Sequence, residues 1–195
     1  MDLTQRQINI IIGLILGDGG LEKNGNNVRL KVEHGFSQKK YLMWLYGELK
    51  NIISRPPRIV SSRSSKSGKI YFRWHFSTLS LKCLNSYYHK FYQQAKKVVP
   101  NDINKLLISP LSLAIWYMDD GYRRNDCKAL RISTDSFNYN EQIKLASCLN
   151  SNFNINCKLH KKAGTWNIYI PVISSYSFCT LVKPYIIPSM RYKLI

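Results

Sequence analysis

At 195 residues, 45% apolar and 21% charged, the chain is long and apolar enough to bury a core, which excludes a disordered tail. The charge is lopsided: 29 Lys and Arg face 11 Asp and Glu, for a net +18. The excess runs throughout, with 17 basic and 5 acidic groups in residues 1–97 and 12 and 6 in residues 98–195, an electrostatic footprint for a polyanion.

Thr4 caps a first helix running to about Gly17, and the nearly unbroken apolar run Ile8 to Leu16 predicts burial on most sides. Gly19 and Gly20 end it. Residues 28–33 alternate, with Val28, Leu30 and Val32 on one face and Arg29, Lys31 and Glu33 on the other. An amphipathic helix over 38–52 follows, until Arg55-Pro56-Pro57 breaks the chain. Residues 61–69 read as a polar hairpin loop. Over 69–76, Lys69, Tyr71, Arg73 and His75 share one face and Ile70, Phe72, Trp74 and Phe76 the other. Another helix spans about 79–94.

After a linker near 97–109 the order repeats. A helix from Pro110 ends at Asp120-Gly121; Leu130 and Ile132 alternate with Arg131 and Ser133; a helix covers about 140–151. Residues 155–160 alternate, Lys161 to Thr165 turn, and Trp166, Ile168 and Ile170 alternate with Asn167 and Tyr169. A short helix lies near 174–182. Further strands have room near 58–61 and 155–160. Neither half is expected to close a core alone, so the two apolar first helices become natural partners in one compact pseudo-dimer, an α+β protein with halves 1–97 and 98–195.

No stretch reaches the ~18 continuous apolar residues of a membrane span, and no basic-then-apolar signal opens the chain, so no membrane partner is expected. Cys83, Cys127, Cys148, Cys157 and Cys179 lack zinc-knuckle spacing and are odd in number; they read as reduced packing residues inside a cell. Heavy use of Asn, Ile, Lys and Tyr is the composition of an AT-rich gene, of the sort a mitochondrion or chloroplast carries.

One short pattern occurs twice. Ile12-Gly13-Leu14-Ile15-Leu16-Gly17-Asp18-Gly19 and Ala114-Ile115-Trp116-Tyr117-Met118-Asp119-Asp120-Gly121 are both apolar helical runs ending in an acid and a glycine. A carboxylate at a helix C-terminus opposes the helix dipole, and that negative potential favours a bound cation. Mg²⁺ needs few protein carboxylates when waters and phosphate oxygens complete its shell. Two acids meeting at one centre on a basic body therefore point to metal-assisted phosphodiester chemistry on nucleic acid. Gly13 and Gly17 share a helix face and allow close approach of the second helix, where Ala114 is the small residue near the matching place.

On these residues the chain resembles the single-chain, two-motif LAGLIDADG homing endonucleases. Ile11 to Gly19 and Leu113 to Gly121 lie on the nine-residue motif. Lys97-Val98-Val99-Pro100-Asn101, Lys183-Pro184-Tyr185, Ile187-Pro188 and Tyr192-Lys193-Leu194 extend the likeness over nearly the whole chain. The resemblance implies a pseudo-symmetric fold of two αββαββα-like halves with paired central helices and antiparallel DNA-binding saddles. It implies metal ligation by Asp18 and Asp120 with the carbonyls of Gly17 and Asp119, and basic groups Lys97 and Lys193 beside the metals. The metal would be Mg²⁺, with Mn²⁺ substituting and Ca²⁺ binding without efficient cleavage. A monomer would cut a long, near-palindromic double-stranded DNA site in organelle intron homing, leaving 3′ overhangs; host intron RNA is a further partner for the relatives that act as maturases. A DNA-binding regulator that has lost its metals is the third reading, disfavoured by intact acids and lysines. Trp116 and Tyr117 make the second helix bulkier than the first and predict unequal cutting of the two strands. Lys193, close to the last residue, is expected to be less firmly held than Lys97.

The polar strand faces are the expected readers of DNA. Arg29, Lys31, Lys69 and Arg73 project from the first half and Arg131, Lys158 and His160 from the second, where Arg and Lys suit guanine edges in a major groove. Lys39, Lys40, Lys161 and Lys162 suit phosphates. Arg63, Lys66, Arg123 and Lys128 complete the basic set. Tyr71 and Trp166 read as packing or loop anchors rather than stacking platforms.

Overall fold

A computed structural model describes residues 2–65, 67–162 and 164–195, with the side chain of Lys162 outside the description. Helix α1 (Gln5–Leu16) starts at a capping box in which Thr4 Oγ1 accepts from the Gln7 N–H and Gln7 Oε1 accepts from the Thr4 N–H. Strands β1 (Gly20–Asn24) and β2 (Asn27–Gly35) form a hairpin, α2 (Lys39–Leu49) crosses behind it, and β3 (Arg58–Arg63) and β4 (Ile70–Ser77) form a second hairpin before α3 (Cys83–Phe91). The sheet order is β1-β2-β4-β3.

The second half runs α5 (Pro110–Asp120), β7 (Gly121–Arg123), β8 (Leu130–Ile132), α6 (Tyr139–Phe153), β9 (Lys158–Lys162), β10 (Thr165–Ile170) and α7 (Val172–Val182). Its sheet order, β7-β8-β10-β9, is that of the first half. Both halves are thus helix, hairpin, helix, hairpin, helix, the duplicated arrangement expected. Between them lie a short hairpin, β5 (Tyr92–Gln93) with β6 (Lys96–Lys97), where the helix expected to run on to about 94 has already ended at Phe91, and a helical turn, α4 (Ile103–Leu106), inside the stretch expected to be a plain linker. Glu141 ties this connection to α6 by accepting from the Val99 N–H at 3.0 Å.

The core is continuous across both halves, and its centre is the α1–α5 crossing, where Ile11, Leu14, Ile15, Leu113, Ile115, Trp116 and Tyr117 are buried. A Cβ on Gly13 would come within 2.5 Å of the Ser112 carbonyl, and one on Gly17 within 2.4 Å of Asp119 Oδ2. Only hydrogen fits at either place. The residues those glycines face are Ser112, Ile115 and Asp119, not Ala114.

Four expectations change. Residues 20–24 are a strand, although Glu22, Lys23 and Asn24 offered no apolar alternation to announce it. The strand expected over 155–160 begins only at Lys158, and β3 extends through Arg63, shortening the loop. The apolar face of β4 is buried only at its inner end: Phe76 is covered, whereas Ile70 and Phe72 are 60% and 56% exposed, because the β3–β4 ribbon projects past α2.

Candidate catalytic centre and nucleic-acid interface

The two motif helices end side by side. Asp18 follows α1, and its backbone N–H donates to Asp119 Oδ2 at 2.9 Å, a bond from one half to the other. The Asp18 side chain is 46% exposed and Asp119's is fully covered. Burial, and then the charge of Asp18, push the Asp120 carboxyl up to about 7. The same two causes hold Asp119 well above the carboxylate range. Three acids thus share one electrostatic environment.

Two lysines balance them. Lys97, delivered by β6, donates from Nζ to the carbonyls of Gly17 at 2.8 Å and Gly19 at 2.9 Å. Lys193 donates to the carbonyls of Met118 and, at 3.1 Å, Asp119. Each ammonium therefore caps the C-terminus of one motif helix, where orphan carbonyls and the dipole favour a cation. Burial lowers both lysine pKa values, against the pull of Asp18, Asp119 and Asp120. Lys193 is only 7% exposed, and its own carbonyl accepts from the Tyr117 hydroxyl at 2.7 Å. The expectation that it is loosely held is therefore corrected.

His34 was not anticipated. It closes β2 with its ring fully buried, Nδ1 3.5 Å from Asp18 Oδ2 and Nε2 3.8 Å from Asp119 Oδ1. The Tyr41 ring lies against it at 4.8 Å. Burial holds the imidazole below its ordinary pKa, against the pull of the Asp18 charge. Asp18, His34 and Asp119 offer ligand-type atoms within 4.8 Å of one another. The only sequence signal was a histidine at a position where β2's alternation points inward.

The polar strand faces carry most of the other predicted residues. Arg29, Lys31 and Arg73 share one side of the first sheet, beside Arg58 and His75, lining a trough of ≈ 820 Å³. Arg131, Lys158 and His160 share the corresponding side of the second. Tyr71 is 49% exposed on the polar side and is no packing anchor.

Several residues lie elsewhere. Lys39 sits 4.7 Å over the Trp74 ring and Lys161 6.0 Å over Trp166, on the sides away from those faces. Lys128 donates to the Tyr176 hydroxyl of α7 at 2.9 Å, and Arg63 folds onto the Gly68 carbonyl at 3.2 Å. Arg123 is paired with Leu130, opposite in facing to Arg131. Lys40 and Lys69 are exposed. Lys66 and the side chain of Lys162 lie outside the described residues.

The profile of the LAGLIDADG DNA endonuclease family matches residues 8–178. This chain belongs to that family. The cytochrome b mRNA maturase bI2 of Debaryomyces hansenii is 35% identical over 199 residues, which cover 98% of this chain and 74% of that protein. The DNA endonuclease I-ChuI of Chlamydomonas applanata is 32% identical over 214 residues, covering 100% and 96%. The homing endonuclease I-WcaI, solved bound to its DNA recognition sequence, superposes with a TM-score of 0.91 at 30% identity over 100% of this chain and 88% of that one. The duplicated LAGLIDADG architecture is thereby established for this endonuclease.

Proposed function

We propose that this LAGLIDADG endonuclease is a site-specific, double-strand DNA enzyme of intron homing that hydrolyses both strands of a long, near-palindromic site and leaves 3′ overhangs. The observation that carries the reading is the meeting of one acid and one lysine from each half at the α1–α5 ends. Residues 1–97 and 98–195 act as the halves of a monomeric pseudo-dimer.

Asp18 and Asp120, with the Gly17 and Asp119 carbonyls, would hold divalent cations: Mg²⁺ in the cell, with Mn²⁺ substituting and Ca²⁺ binding without efficient cleavage. The donors are hard oxygens, and burial followed by the charge of Asp18 raises Asp120, a cost to its charged form that a bound cation relieves. When bound, such cations supply an activated water and neutralise charge on the phosphate. Asp119 fixes the backbone at Asp18, and His34 flanks the Asp18 carboxylate. Lys97 and Lys193 bring fixed positive charge to where the phosphorane charge develops. They already bond the Gly17 and Asp119 carbonyls, each of which keeps a second lone pair. The basic strand faces dock on the duplex, phosphate contacts setting position and base-edge contacts setting sequence.

Cleavage of a duplex spanning the intron-free insertion site, in Mg²⁺, tests this directly. The maturase name of a 35% identical relative favours a second activity on host intron RNA in an organelle, so a splicing assay belongs beside it.

A further inference from the structure

The two sheet faces follow different charge plans. On the first, Glu33 sits among basic groups: its carboxylate is 3.0 Å from Lys31 Nζ, accepts from Arg73 Nη1 at 3.2 Å and lies 3.5 Å from His75 Nδ1. Register explains the gathering. Glu33 is paired with His75, Lys31 stands two residues along β2, and Arg73 two residues along β4, so all four leave the same side. Glu22, paired with Arg29, accepts from its Nε at 2.9 Å and Nη2 at 2.8 Å. Arg73 is further held by Ser62 Oγ at 2.9 Å. On the second sheet, no ion pair involves Arg131, Lys158 or His160 among the described residues. Instead Arg131 lies 5.8 Å from the Tyr169 ring centre and His160 stacks on that ring at 4.1 Å.

Carboxylates on a DNA-facing surface repel phosphate on every duplex, whatever its sequence. What offsets them is geometry. A guanidinium carries five N–H donors. With Nε and one Nη2 hydrogen engaged by Glu22, Arg29 still presents Nη1 and the other Nη2 hydrogen, the edge that pairs with guanine O6 and N7. A held arginine also loses less side-chain freedom on binding.

We propose that Glu22 and Glu33 make the first sheet the reader of sequence and leave the second sheet the anchor of affinity. The carboxylates hold Arg29, Lys31 and Arg73 in fixed poses for base edges and penalise any duplex that does not supply those bases. This rests on the reading that both strand faces form the DNA interface.

The test compares wild type, Glu33→Gln, the Glu22→Gln/Glu33→Gln pair, Arg73→Ala and Arg131→Ala in Ca²⁺. Each is bound to the duplex that wild type selects from a randomised pool and to a scrambled duplex of equal length. Selection from the pool is then repeated with each variant. Glu33→Gln is expected to bind the scrambled duplex about 3- to 10-fold more tightly without gain on the selected one. The pair is expected to do more, and selection to loosen in one half of the site only. Arg131→Ala is expected to weaken both duplexes alike. Equal gains on both duplexes, or loosening across both half-sites, would overturn the proposal while leaving the interface standing. If Arg73→Ala and Arg131→Ala both leave all binding unchanged, the interface itself is wrong, a result distinguishable from the first.

Discussion

Asp119 Oδ2 accepts the backbone N–H of Asp18 at 2.9 Å, and the space its carboxylate fills is space that Gly17 leaves open. The seventh position of one motif copy is thus a glycine and that of the other an acid, and they fit because they differ. Gly17→Ala would place a methyl against Asp119 Oδ2 and force the crossing apart, at a cost of about 2 kcal/mol or more. A denaturant melt reads this. Asp119→Asn keeps an acceptor oxygen and should retain most of the stability, whereas Asp119→Ala should lower both stability and cleavage.

The acid proposed to serve the chemistry should burden the fold. Asp120's pKa is raised from 3.8 to about 7, so the folded chain holds that proton more tightly than the unfolded chain does. Stability therefore falls as pH rises from 3.8 towards 7, and the full deficit stands above it. Asp120→Asn should stabilise the cation-free protein by on the order of 1–3 kcal/mol near pH ~8 and by little near pH ~4. Mg²⁺ should shrink the difference. Thermal melts of both proteins at the two pH values, with and without the ion, measure it.

His34 makes the two sides of the centre unequal. Past β8, Thr134 donates its hydroxyl to Gln142 Oε1 at 2.7 Å within its own half. No histidine flanks Asp120 as His34 flanks Asp18 among the described residues. His34→Ala should slow one strand more than the other, so that nicked duplex accumulates on a denaturing gel. Equal slowing of both strands would reduce His34 to packing.

Lys97→Met and Lys193→Met should each lower the cleavage rate at least ~10-fold more than the affinity, because the charge acts where negative charge develops in the transition state. Single-turnover rates beside dissociation constants separate the two. Losses of equal size would make these lysines phosphate contacts.

The motif helices were legible because apolar runs closed by acid and glycine are local signals, and the repeat at half-chain spacing implied their pairing. Strand β1 was not: its sequence, Gly20–Asn24, has a single buried residue, Leu21, and its partner β2 supplies the rest. The β5–β6 hairpin was missed for a different reason. Its turn residues Gln94 and Ala95 are both left-handed, at φ 48° and 62°, where Asn-Gly is the usual signal. That strained turn delivers Lys97, and it is held by Tyr92, whose hydroxyl accepts from the Leu21 N–H at 2.9 Å. His34 was hidden because only the third dimension brings the end of β2 beneath the helix crossing. The ion pairs of Glu22 and Glu33 depend on strand register, which no single stretch of sequence specifies.

In the proposed mechanism, one acid from each half forms a single cleavage centre. Strand-resolved cleavage of the insertion-site duplex in Mg²⁺, for wild type, Asp18→Asn and Asp120→Asn, tests it, with binding measured in Ca²⁺. Both variants should bind within about threefold of wild type and yield no double-strand break. Cutting of both strands by either variant at near the wild-type rate would contradict a shared cleavage centre.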